Sequence, residues 1–461
     1  MEQRKLQHLF LRAGFGETPD NIHALLPLTR EEIVEQLFLA SKDYKGIAYL
    51  PYPLKENQYE KGVNVFQLVS MILNSKKDLE ELNGEWLFKM AYTKAVLREK
   101  MTFFWHNHFS TSAPFAYIMQ AQNNTLRKNA LGKFSDLLHA VSKDPAMILY
   151  LNNQENKKNH PNENFAREVM ELFSLGEGNY LEKDIKEAAR AFTGWTVNMK
   201  GEYEFKELEH DKGGKTFFGK TGNFNGEDIV NMILNKKQTA LYITGKIYQE
   251  FVNPKLNKER VEELAESFYQ SGYDISGLMK KIFLSDWFYD EENIGIKICS
   301  PVELLVRYKK LLSLEFESNQ TLIDLQNALG QTLFFPPNVA GWKGGTNWIH
   351  STALLLRLNL PGHILSGEGF KISSKPAFEE KNEMAENSSK AIQKKLKADW
   401  SSIENFFKNQ DQGKLTETVL TYFIQCSPNK IDKQLFPQVS NSEGIAKICA
   451  HIMSLPEFQL I

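Results

Sequence analysis

Residues 85–109 read EWLFKMAYTKAVLREKMTFFWHNHF, and the fold class turns on them. Leu97, Met101 and Trp105 recur at steps of four, which predicts one stripe of a long amphipathic helix. The same stretch ends on His106, Asn107 and His108, set among aromatic residues. On a helix, residues two apart diverge by roughly 200°. The two imidazoles therefore converge only if the helix stops near Trp105 or His106. Ser110, Thr111, Ser112 and Pro114 are compatible with such an early stop. The plainer reading is a helix C-terminus, where imidazoles meet free carbonyls and the negative end of the dipole.

Working outward, helical periodicity continues in both directions. TREEIVEQLFLAS (29–41) has Thr29 as a cap, acids in the first turn, and Ile33, Leu37 and Phe38 on one face. KFSDLLHAVSKDPAMILYLNN (133–153) predicts two short helices broken at Asp144-Pro145. Residues 253–288 predict a helix, a Gly-Tyr turn and another helix. Ser300, Pro301 and Glu303 supply a cap, a first-turn proline and a capping-box acid.

Residues 194–226 break the pattern, being rich in Gly, Thr, Val, Tyr and Phe. TVNMKGEYEF (196–205) predicts a hairpin turning near Lys200-Gly201, with loop after it. The expected architecture is mainly α, a multi-helical protein with a small β-hairpin and loop insertion near residues 196–226. Residues 1–366 form the main helical domain, including the β-rich insertion 194–226. Residues 367–394 are polar and read as a linker or surface excursion. Residues 395–461 supply C-terminal helices that pack on the main domain.

Composition narrows the function classes. The 461 residues carry a net charge of −2, with acids and bases interspersed. No basic stripe tracks nucleic acid phosphates. No segment approaches the ~20 apolar residues of a membrane span, and the N-terminus lacks an apolar run of signal-peptide length. The chain reads as cytoplasmic, with export beside a signal-bearing partner as the alternative. Cys299, Cys426 and Cys449 are widely spaced and read as buried free thiols. There is no G-x-S-x-G, P-loop, H-E-x-x-H or dinucleotide fingerprint. The commonest serine hydrolases, nucleotide hydrolases, zinc proteases and dehydrogenases drop out.

Three further clusters carry candidate chemistry. In NHPNENFAREVMELFSLGEGNY (159–180), Pro161 suits a first helical turn, and Glu163, Arg167 and Glu171 are spaced as i,i+4 ion pairs. Asn164 and Glu168 lie one turn apart, where an amide and a carboxylate can orient a substrate; a solvated face looks much the same. In EHDKGGKTFFG (209–219), His210 and Asp211 can bind a metal or act as an acid/base pair, with Lys215 neutralising an anion. In FFPPNVAGWKGGTNWIHSTALLLRLN (334–359), Trp342 and Trp348 can stack on sugar faces or plug a gap in the core. His139 reads as structural.

Seven stretches occur in order: HLFLRAGFG (8–16), MTFFWHNHF (101–109), NALGKFSDLLHAVSKDPAMILYLNN (129–153), PNENFAREVMELFSLGEGNY (161–180), AARAFTGW (188–195), HDKGGKTFFG (210–219) and PPNVAGWKGGTNWI (336–349). Together they resemble the bacterial family called domain of unknown function 1800, over nearly the whole chain. The resemblance carries no established activity. It does imply a partner, since such genes often neighbour a twin-arginine-exported family similar to alkaline phosphatases and sulfatases. A phosphatase/sulfatase-like partner would also explain a missing signal peptide.

Two functional expectations follow. In the first, His106, His108, Glu168, His210 and Asp211 converge on one cleft as a metal-assisted or acid/base hydrolase. Its substrate would be a carbohydrate or an anionic glycan. Arg167, Arg190, Lys215, Asn164 and Trp342 would bind it. A divalent zinc, manganese or iron ion would sit on His106, His108, His210 and Asp211. In the second, the chain is a non-catalytic binding or scaffold partner of the phosphatase/sulfatase-like protein, and its polar motif residues tie the insertion to the helices. A third reading leaves each cluster capping its own helix.

Overall fold

The computed structural model describes residues 1–51, 65–371, 393–426 and 444–461. Helices dominate it, with only short antiparallel strand pairs between them. Several helices begin on the caps expected. Thr29 and Glu32 close a capping box on Arg30–Ala40, and Ser300 and Glu303 do the same for Pro301–Leu312. Asp144 accepts from the backbone N–H of Ala146 and Met147, ending Phe134–Ser142 and opening Pro145–Tyr150. The turn between Lys258–Gln270 and Ile275–Leu284 places both Gly272 and Tyr273 at positive φ.

The long helix expected through residues 85–109 is two helices, Val65–Tyr92 and Val96–His108. Thr93 makes the break, its hydroxyl accepting the N–H of Ala95 in a local turn that competes with the helix ladder. The second helix is not amphipathic either. Every residue from Val96 to His106 is buried, Arg98, Glu99 and Lys100 included. Such a helix lies in the middle of the protein and needs an internal partner for each charge. Glu99 pairs with Arg127, Lys100 with Glu303, and Arg98 donates to the carbonyls of Ser41 and Arg127. Leu97, Met101 and Trp105 are fully enclosed.

The insertion forms a hairpin of Trp195–Val197 with Tyr203–Phe205, turning through Gly201 at φ +79°. A second hairpin, Lys215–Phe217 with Lys220–Gly222, occupies part of what the sequence reads as loop. Downstream, Phe370–Lys371 pairs antiparallel with Gln393–Lys394. Most of the stretch read as a polar linker or surface excursion, residues 372–392, lies outside the described residues. Helices Ser401–Lys408, Leu415–Phe423 and Ile445–Met453 follow. Arg307 donates to the carbonyls of Phe423 and Phe458, and Gln425 bonds Gln7, fastening this end to the rest. Cys299 and Cys449 are buried free thiols, and Cys426 is half-buried. No described helix is long and apolar enough to cross a membrane.

Candidate functional site

The helix Val96–His108 runs through both histidines, so they point apart. His106 sits in an aromatic cage of Trp86, Phe334 and Trp342, with ring centroids 5.0, 5.2 and 5.6 Å away. Its Nε2 accepts the N–H of Phe334 at 3.2 Å, which leaves that nitrogen bare and its lone pair engaged. Burial alone pulls its pKa from 6.5 to about 3. Between the histidines, Asn107 accepts the N–H of Trp342 at 2.8 Å and faces its carbonyl at 3.5 Å. The approach is so close that a Cβ on Gly341, at φ +76°, would stand 2.3 Å from Asn107 Oδ1. Trp342 is thus buried as a plug, and Asn107 is the hook that holds its loop. Asn107→Ala is expected to destabilise the fold by about 1–2 kcal/mol, because it leaves the half-buried Trp342 N–H without its acceptor. Urea denaturation measures the loss; a change under about 0.5 kcal/mol would show that the loop holds itself.

His108 faces the other way, towards Phe173 and Tyr242. The helix Asn164–Met170 passes into a π turn, Glu171–Leu175, which ends at Gly176 with φ +82°. A helix end leaves carbonyls without partners. Here His108 Nε2 meets the carbonyl of Phe173 at 3.1 Å, Tyr242 donates to Leu172 at 3.0 Å, and Gln238 donates to Leu175 at 3.0 Å. The His108 pKa also falls to about 3, chiefly through burial.

On the outer side of that helix, Arg167 makes a bidentate pair with Glu182 at 2.9 and 3.1 Å and reaches Glu163 at 3.5 Å. The expected pair with Glu171 does not form, because Glu171 accepts the Tyr180 hydroxyl instead. Pro161 does not open the helix. Asn156 and Asn162 side chains accept the N–H groups of Asn162 and Asn164, holding the preceding turn and delaying the start to Asn164. Asn164 is exposed. Glu168 is half-buried, its pKa raised by burial and by Glu171.

His210 and Asp211 join a third group. His210 Nδ1 meets the Thr193 carbonyl at 2.9 Å. Asp211 receives Arg190 Nε at 2.7 Å, Arg190 Nη2 at 3.3 Å and the Gly213 N–H at 2.7 Å, while its own N–H donates to the Thr193 hydroxyl at 2.7 Å. Burial works to raise the carboxyl, but these donors outweigh it and its pKa is lowered. Arg190 also binds both oxygens of Glu187 and the Gly214 carbonyl. Lys215 is buried and donates to the carbonyls of Asp211 and Gly213 at 2.6 and 3.0 Å. Lys215, expected to neutralise an external anion, serves the loop's own carbonyls instead, and the Gly213 N–H serves the Asp211 carboxylate.

The structure therefore brings together His210, Asp211, Arg190 and Lys215 as one cluster, and His106 and Trp342 as another. His106, His108 and His210 share no hydrogen-bond partner. Among the described residues, no three His, Cys, Asp or Glu side chains are grouped to hold a metal ion. None of the candidate residues lines any of the described cavities. Sequence reasoning missed Glu187 and Thr193, which complete the loop cluster, and the buried Glu99–Arg127 pair. Glu187 left a signal, standing three residues before Arg190 on the helix Glu182–Ala191.

Residues 8–460 match the model of a family described as "Protein of unknown function (DUF1800)". No curated protein and no solved structure matches the chain. The matched span takes in every cluster above, from the histidine helix to the Trp342 loop, and the chain belongs to the DUF1800 family.

Proposed function

We propose that the chain is a non-catalytic binding and scaffold protein, with its polar motif residues acting as internal fastenings. One observation carries this reading: both carboxylate oxygens of Asp211 are engaged by Arg190, with Gly213 adding a third bond, so the loop is riveted to the helix Glu182–Ala191. A half-buried polar network whose members already satisfy one another fixes one arrangement of the chain and leaves little for a reacting group. The family resemblance offers a phosphatase/sulfatase-like protein as the partner.

The test pairs stability with turnover. Asp211→Asn and Arg190→Gln are expected to lower the melting temperature. Wild type is expected to leave p-nitrophenyl phosphate, sulfate and glycosides intact, with or without added zinc or manganese. Turnover that His210→Asn or Asp211→Asn abolishes at unchanged melting temperature would overturn the proposal.

Hydrolysis keeps one foothold in Glu168. Its carboxyl makes no hydrogen bond or ion pair with any described residue, and its raised pKa is what a general acid needs. If that second reading holds, Glu168→Gln lowers turnover at least 100-fold and leaves the melting temperature unchanged.

A further inference from the structure

Two neighbouring hollows open on the far side of the break at Thr93, and they share Tyr92 and Thr93 as a common rim. Their volumes are about 540 and 550 Å³, within the roughly 300–1,000 Å³ usual for ligand pockets. Among the described residues, four large aromatic side chains are exposed: Tyr49, Phe88, Tyr92 and Phe205. The first three line one of these hollows. They are 43%, 54% and 44% exposed, a concentration of wet aromatic surface that folding alone does not require.

The rings are held in place. Phe88 and Tyr92 stand one turn apart on Val65–Tyr92, with centroids 4.7 Å apart. The ammonium of Lys309 lies 5.5 and 5.7 Å from their centres and is itself fixed by the Leu314 carbonyl. Tyr49 lines the same hollow from a segment clamped by two amides. Asn124 bonds both the N–H and the carbonyl of Ile47, and Gln120 does the same to Leu50. Asn124 is in turn gripped by the buried Arg127 at 2.7 Å. A ligand meeting this surface finds the Phe88 and Tyr92 rings already in contact and the segment that carries Tyr49 already fastened, which lowers the entropic cost of binding.

Chemistry selects the ligand class. Around the rings lie Glu85, Lys89 and Thr93, charges of opposite sign beside a hydroxyl. The second hollow adds Thr18, Asn21, Gln36 and Lys94 over an apolar floor that includes Leu37 and Val96. Its Glu17 is neutralised by Lys310 at 2.6 Å. Flat, electron-rich ring faces beside scattered donors and acceptors suit a pyranose, which presents C–H faces and a hydroxyl rim. The near balance of charge argues against a polyanion. Docking by strand addition is disfavoured, because the pairing groups of Ile47 and Leu50 are already taken. We infer that the groove across Tyr92 and Thr93 binds a neutral oligosaccharide strand, stacked on Phe88, Tyr92 and Tyr49. This inference holds whether or not the chain is catalytic, since none of the candidate site residues lines the groove.

The full chain, applied to an array of neutral, sulfated and uronic-acid oligosaccharides, is expected to retain neutral ones. Phe88→Ala and Tyr49→Ala should each weaken that binding at least tenfold at unchanged melting temperature. Phe205→Ala, at the remaining exposed aromatic, should not. An array with no neutral glycan bound overturns the inference. So does neutral binding indifferent to Phe88 and Tyr49, binding confined to anionic glycans, or preference for a proline-rich peptide in competition.

Discussion

Between pH 7 and pH 4, the wild type is expected to lose on the order of 3 kcal/mol of stability relative to a His106→Gln variant. The amide of Gln can still accept the Phe334 N–H, so the variant mainly removes the titrating ring. In the folded protein His106 has a pKa of about 3, against 6.5 for an ordinary imidazole. The unfolded chain therefore takes up the proton first as pH falls. The contribution of the neutral ring is complete above pH 6.5 and declines as pH drops towards 3. Its neighbours Trp86, Phe334 and Trp342 offer no countercharge to hold a cation in place. His108 and His8 shift in the same direction, both chiefly through burial. Asp144 runs the other way: burial lifts it to about 7, so its contribution is present in acid and lost as pH rises through that value. The wild-type profile sums these opposing trends, and only the difference between wild type and variant isolates His106. Urea midpoints at pH 7, 5.5 and 4 measure it. Parallel profiles for the two proteins would mean that the ring titrates normally, and its role as a buried neutral packing group would be lost.

How much of this was open to reading depends on how far a residue's partner lies along the chain. Caps at Thr29, Asp144 and Ser300 are local, since each side chain bonds backbone within three residues, and the sequence carries the whole interaction. The divergence of His106 and His108 is equally local, as helical geometry sets it once the helix runs through residue 108. What the imidazoles face is not local. The cage of His106 comes from Trp86, Phe334 and Trp342, and the carbonyl met by His108 belongs to a π turn that no helical periodicity announces. The break at Thr93 rests on one hydroxyl in a stretch whose apolar spacing stays in phase across it. Missing it hides the groove, because Tyr92 and Thr93 become a rim only where one helix stops and the next starts. The aromatic trio is spread similarly: Phe88 and Tyr92 are one turn apart, but Tyr49 reaches them through amides of Gln120 and Asn124 some seventy positions on.

Arg127→Met is expected to cost about 3–5 kcal/mol of stability. Arg127 and Glu99 are both fully buried. The guanidinium donates to Glu99 at 2.7 and 3.1 Å, to Asn123 at 2.6 Å and to Asn124 at 2.7 Å, while Trp86 Nε1 adds a bond to the carboxylate at 3.0 Å. Methionine keeps much of the volume, so packing changes little. What changes is charge: Glu99 is left in the middle of the protein with one neutral donor. The pair's own net contribution is a different quantity, since desolvation of both ions offsets most of their attraction. A double variant, Glu99→Leu with Arg127→Met, should therefore recover a good part of the loss. If it falls as far as Arg127→Met alone, the stranded carboxylate is not the cause, and the hydrogen bonds to Asn123 and Asn124 are. That outcome also bears on the groove, because Asn124 positions Ile47 and, through it, Tyr49. Both variants lack the grip on Asn124, so any glycan binding should weaken in the double variant even where its stability returns.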